Sequence, residues 1–279
     1  MNSLFKTLAD NPSALLRWYV DVGVDEAITE EPVDRFKVGG RVEAVVATKQ
    51  AKQKILKTVS QSHSLHSGLQ PEVGELVHSA IHLAKGANTI DELKAAVESF
   101  EGCGLKKFAS STVFADGNAS ARIMFIGEAP GADEDRQGKP FVGASGKLLD
   151  KMLESIGLDR ETNAYITNIV FWRPPGNRSP THQEVSSCLP FVQRHIELLD
   201  PAVLVFVGGL SAKTLLAKPI GITKMRGHWH EYVSPSISKP VPSMALFHPA
   251  YLLRSPQQKR LAWQDLIAIR HKLNNLVQV

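Results

Sequence analysis

ARIMFIGEAPGADEDRQGKPFVGASGKLLDKMLESIGL, residues 121–158, contains the change of pattern on which the fold turns. A short apolar run, ARIMFIG, ends at a glycine. A polar, glycine-rich stretch follows, and SGKLLDKMLESIGL then places apolar residues at helical spacing. The first pattern is that of a strand buried on both faces and the last that of an amphipathic helix. The alternation continues with strand AYITNIVF (164–171), loop WRPPGNRSP (172–180) and helix THQEVSSCLPFVQRHIELL (181–199). Next come strand AVLVFVG (202–208), helix SAKTLLA (211–217), short strand HEYV (230–233), strand SMALF (243–247), loop HPAYLLRSP (248–256) and closing helix QKRLAWQDLIAIRHKL (258–273). Strands alternating with helices predict an α/β fold: a three-layer sandwich around a central, mainly parallel four-stranded sheet.

Upstream the pattern is different, and a helical N-terminal appendage is expected. Asn11 and Pro12 start an N-terminal helix within residues 1–30, since Asn suits an N-cap and Pro the first helical turn. Residues 31–73, rich in Lys, Gln, Ser and Gly, read as a partly disordered linker. The α/β domain spans 74–279, with a helical lead-in over 74–102 in which Thr89 and Glu92 stand at capping-box spacing.

The 279 residues are 43% hydrophobic and 22% charged, enough for a sizeable core. No apolar run reaches the roughly eighteen residues that cross a membrane, and the N-terminus lacks the order of a secretory signal. A cytoplasmic protein without membrane attachment is expected. Thirty-two Lys and Arg against 28 Asp and Glu leave +4, which permits a polyanionic partner without requiring one. The two cysteines, Cys103 and Cys188, exclude a disulfide framework and any four-cysteine metal site built from this chain alone.

In such sheets ligands bind beyond the carboxyl ends of the strands, where GEAPG, TNIVFWRPPGNR and FHPAYLLR fall. In the first loop Glu128 follows the strand at the rim, and Phe141 either stacks on a planar ligand or packs locally. Asn168 lies between apolar neighbours, where an amide needs partners. Those partners are either backbone groups or the N3–H and O4 edge of a uracil, which an amide matches and cytosine does not. Arg173, Asn177 and Arg178 surround Pro174–Gly176 and suit phosphates, or form an ordinary basic loop. His248 is held at the rim by Pro249, as a ligand donor or a helix cap. Tyr251, Leu252, Leu253 and Arg254 form an apolar wedge beside a cation, useful for entering a base stack, unless they are buried as the start of the last helix.

Together GEAPGADEDRQGKPFVG, TNIVFWRPPGNR and HPAYLLR resemble the three signature regions of the uracil-DNA glycosylase superfamily, and most of all its family 4, over roughly residues 103–272. The resemblance implies an enzyme of base excision repair that flips uracil out of DNA and hydrolyses its N-glycosidic bond to leave an abasic site. It implies that Phe141 stacks on the base and Asn168 reads its edge. His248 would stabilise the departing base with the backbone of Gly127, Glu128 and Ala129 around it. Arg173, Asn177, Arg178, Tyr251, Leu252 and Arg254 would contact DNA. The expected partners are uracil-containing DNA and downstream repair enzymes, and a monomer is expected.

The departures matter as much. Ala129 stands where a related branch has a water-positioning Asp, which leaves Glu128 as the candidate for water or the sugar cation. Gly131 stands where that branch has a Tyr that excludes thymine, so strict uracil specificity stays open. Family-4 members usually carry a four-iron cluster on four cysteines. Here Cys103 and Cys188 match two of the ligands, while Phe100 and Trp172 occupy the other two positions. The expectation is therefore no iron-sulfur cofactor, because two thiolates do not hold such a cluster. His182 is the one histidine near the place where another branch captures the abasic sugar covalently, but the accompanying basic insert is missing. The competing reading is a binder of uracil or abasic DNA that does not turn over or that traps its ligand.

Overall fold

The computed structural model of the chain describes residues 73–277. The helix expected over 1–30 and the linker expected over 31–73 lie outside these residues as far as position 72. The described part opens with two helices, α1 (Val73–Gly86) and α2 (Ile90–Ser99). Thr89 caps α2, its Oγ1 accepting from Glu92 N at 3.1 Å, while the Glu92 carboxylate accepts from Asn88 N at 2.7 Å. Both helices pack on the long α5 (His182–Leu199).

Six strands form one sheet in the order β1, β3, β2, β4, β6, β5. They are β1 (Ala115–Gly117), β2 (Ile123–Gly127), β3 (Tyr165–Asn168), β4 (Val203–Val207), β5 (Trp229–Tyr232) and β6 (Val241–Leu246). The four inner strands run parallel, as expected from the sequence, and an antiparallel strand extends each edge. β1 was not anticipated. Its ADG carries no strand pattern and is extended only because Ala115 pairs with Thr167 and Gly117 with Tyr165.

Alternate residues of the inner strands feed two cores, which explains their unbroken apolar runs. Met124, Ile126, Leu204 and Phe206 face α1, α2 and α5. Ile123, Phe125, Val203 and Val205 face α4 (Ala144–Glu154) and α9 (Lys259–Val277). Four further helices are short: α3 (Ala132–Gln137), α6 (Gly209–Leu216), α7 (Ile222–Met225) and α8 (Pro249–Arg254). The chain leaves β2 towards β3 on one side and returns from β3 to β4 on the other. β2 therefore borders the crevice where the connections diverge, the usual place for a ligand in an open α/β sheet.

Candidate active site

β2 and β3 end side by side, with Gly127 paired to Asn168. A Cβ at Gly127 would lie 2.4 Å from Asn168 Oδ1 and 2.6 Å from two carbons of the Phe141 ring. Glycine is what lets amide and ring converge on the strand end. Asn168 is 1% exposed, and its Oδ1 has no hydrogen-bond partner. An unmet buried acceptor costs about 1–3 kcal/mol, which a ligand with an N–H at that point would recover.

Phe141 stands in the left-handed region at φ 53°, a conformation costing a non-glycine residue about 1–3 kcal/mol. Part of what holds it is Glu134, in the first turn of α3. One carboxylate oxygen accepts from Val142 N at 2.9 Å and Gly143 N at 2.8 Å, and the other from Gly131 N at 3.0 Å. Glu134 is not among the residues the sequence points to, although its place three residues after Gly131 is the spacing of a capping glutamate.

His248 is both a cap and a rim residue, so the two readings of the sequence are not exclusive. Its Nδ1 accepts from Ala250 N at 3.1 Å at the start of α8. That bond leaves the ring proton on Nε2. Burial, helped by the nearby Arg254 charge and opposed by Glu134, pulls the imidazole pKa down to about 4. At neutral pH the side chain is an uncharged N–H donor. Its ring centroid lies 5.6 Å from that of Phe141. Behind it, a Cβ at Gly208 would come within 3.3 Å of the imidazole, and Gly208 has φ 108°. In the sequence this glycine, at the end of β4, has nothing to distinguish it from an ordinary strand terminus.

Glu128, Ala129, Gly131, Phe141, Asn168 and His248 line one hollow of about 600 Å³. Asn177, Arg178, Tyr251 and Arg254 line it too. Arg173 is drawn to Asn177, donating from Nε to Asn177 Oδ1 at 2.7 Å. The Arg178 guanidinium is already paired with Glu184 through two bonds of 2.8 and 2.7 Å, so its charge is matched within the protein. His182 begins α5, exposed, beside Ser186 and away from the hollow's lining.

The wedge needs correction. HPAYLLR is not an extended loop: Pro249–Arg254 is a helical turn, which points Pro249 and Leu252 inward together. Leu252 is 1% exposed and belongs to the core with Leu266 and Ala262, whereas Leu253 is 45% exposed. Leu252 cannot enter a base stack from there; Leu253 has the outward position.

The model of the Uracil DNA glycosylase superfamily matches residues 114–267. The chain belongs to this superfamily. A type-4 uracil-DNA glycosylase of Sulfurisphaera tokodaii is 38% identical over 188 residues, covering 66% of this chain and 84% of the relative. One of Archaeoglobus fulgidus is 40% identical over 173 residues, 61% and 85% of the two chains. One of Thermotoga maritima is 38% identical over 173 residues, 61% and 87%.

In this superfamily member the four positions at which the resemblance implies cluster ligands lie in one core. Phe100, Cys103, Trp172 and Cys188 are all buried there. The Phe100 ring packs edge-on against Phe191 at 5.1 Å, and Trp172 Nε1 donates to Thr112 Oγ1 at 3.0 Å. Burial pushes the Cys188 thiol up, and its hydrogen bond with Cys103 lowers the Cys103 thiol. Two aromatic side chains fill the space of two ligands, so the residues present do not fit a four-cysteine cluster. Among the described residues no group of three or more His, Cys, Asp or Glu is arranged to hold a metal.

Proposed function

We propose that the chain is a monofunctional uracil-DNA glycosylase, which takes deoxyuridine out of the DNA stack and hydrolyses its N-glycosidic bond. The observation that carries this reading is the buried, unpartnered Asn168 Oδ1, which lines one hollow with the Phe141 ring and the neutral His248. An N3–H satisfies that acceptor; cytosine presents a lone pair there and repels it. Phe141 stacks on the base. As the glycosidic bond breaks, negative charge builds on uracil O2, and the Nε2–H of His248 stabilises it, with the backbone amides of Glu128 and Ala129 sharing the task. Glu128, which lines the hollow, orients water or the sugar cation in place of the aspartate that Ala129 replaces. Asn177, Arg173, Arg178, Tyr251, Leu253 and Arg254 meet the DNA around the flipped nucleotide. The partner is uracil-containing DNA, met by a monomeric protein of the cytoplasm whose abasic product passes to downstream repair enzymes.

The test is alkali treatment of a uracil-containing oligonucleotide after incubation with the protein. Strand scission well above that of His248→Ala supports turnover, while tight binding without scission supports the competing binder. The enzyme is further proposed to work without an iron-sulfur cluster. A broad visible absorption band with stoichiometric iron in pure protein would overturn that.

A further inference from the structure

Phe141 is gripped from behind by a residue that never reaches the hollow. Arg160 lies in the turn after α4, and its guanidinium passes beneath the Phe141 loop. Nη1 donates to Pro140 O at 3.0 Å and Nη2 to Phe141 O at 2.8 Å. The remaining donors go to carboxylates: Nε and Nη2 to Asp150 Oδ1 at 3.0 and 2.7 Å, and Nη1 to Asp116 Oδ2 at 2.9 Å. A guanidinium has five N–H donors, and all five are engaged.

The consequence lies in where the two carbonyls sit. Pro140 O precedes the left-handed residue and Phe141 O is its own, while Glu134 holds the two amides that follow. The peptide groups on both sides of φ 53° are thus fixed by buried or half-buried side chains. On the α4 side the backbone is pressed close: a Cβ at Gly146 would lie 1.8 Å from Phe141 O. Two aspartates balance the Arg160 charge, and a planar fork spans two carbonyls and two carboxylates as a lysine with three donors cannot.

We propose that Arg160, tied to Asp116 and Asp150, is a positioning residue that keeps the Phe141 ring standing across the slot, acting on the reaction through that ring alone. This rests on the stacking role proposed for Phe141.

The experiment is a double-mutant cycle on uracil-containing duplex DNA, with thermal melts as a check on folding. Arg160→Gln should lower kcat/KM by about ten- to a hundredfold, the scale of loss expected when a reactant is misplaced by an ångström. Arg160→Lys should fall between it and the wild type. In a Phe141→Ala background, Arg160→Gln should change kcat/KM less than about twofold, because the ring it aims is gone. Equal losses in both backgrounds, or no loss from Arg160→Gln alone, overturn the inference. If Arg160→Gln does not fold, Asp150→Asn, which loosens the guanidinium without removing it, must show the same dependence on Phe141, and its lack of any such dependence overturns the inference too. Should Phe141→Ala itself keep full activity, the stacking role fails first, which separates the two outcomes.

Discussion

At the scale of single residues, the proposed mechanism requires His248 to stay neutral. Its Nδ1 is occupied by the Ala250 amide, so the opposite nitrogen carries the proton, and burial keeps a second proton off until about pH 4. The ratio of wild-type to His248→Ala rate should therefore be constant from about pH 5.5 to 8, where a free histidine would titrate, and change only as pH falls towards 4. The loss in His248→Ala should be on the order of a hundred- to a thousandfold, that of a missing oxyanion donor. An alkali-scission time course at several pH values measures both. Gly208 sets the room for that ring. Gly208→Ala combines a φ that suits only glycine with a methyl against the imidazole, and should lower kcat/KM at least about tenfold with the binding of undamaged DNA unchanged. Equal kinetics in Gly208→Ala and wild type would remove the glycine from the argument.

At the scale of elements, α8 divides adjacent leucines between two tasks. Leu252 fills the core under the helix, and Leu253 faces outward. Leu252→Ala should cost about 2–5 kcal/mol of stability, as other buried leucine truncations do. Leu253→Ala should leave the urea midpoint unchanged and lower activity on duplex more than on single-stranded substrate, since only a duplex must be opened. A reversal of these two profiles would restore the wedge as first read. The error has a plain origin. The apolar spacing of YLLR fits an extended run or one helical turn, and four residues are too few for periodicity to choose between them. Pro249 at the first helical position and His248 at its cap are the features that make it a helix.

At the scale of the whole molecule, the fold keeps two histidines of the described residues neutral. His195 is fully buried between Phe114, stacked at 4.5 Å, and the Tyr165 hydroxyl at 2.9 Å, and burial lowers its pKa to about 3. His248 is the other. Both pKa values lie below the unfolded value of about 6.5, so the unfolded chain binds more protons in the interval between. The stability they contribute is complete above about pH 6.5 and is lost as pH falls towards 4, by up to about 1.4 kcal/mol per pH unit for each histidine. Urea unfolding at stepped pH should show that slope, and His195→Gln should remove about half of it. A flat profile from pH 7 to 5 would mean that neither ring is held neutral.

The run from 121 to 158 and the strand–helix alternation after it determined the α/β class, the four parallel inner strands and the rim on which three loops meet. Burial on both faces gives the inner strands their apolar runs. The residue types of the slot were legible for a related reason: a lone amide in an apolar strand, and a histidine before a proline at a strand end, stand out against their neighbours. Only the tertiary structure decided which groups hold them. Glu134 and Arg160 act across gaps of chain, through bonds to backbone atoms that carry no side-chain signature, and Gly208 acts by the room it leaves the His248 ring. The same is true of β1, which is a strand solely because β3 lies beside it. Periodicity reports what a residue is buried against on average, while a hydrogen bond between distant segments depends on a meeting of coordinates that only folding brings about.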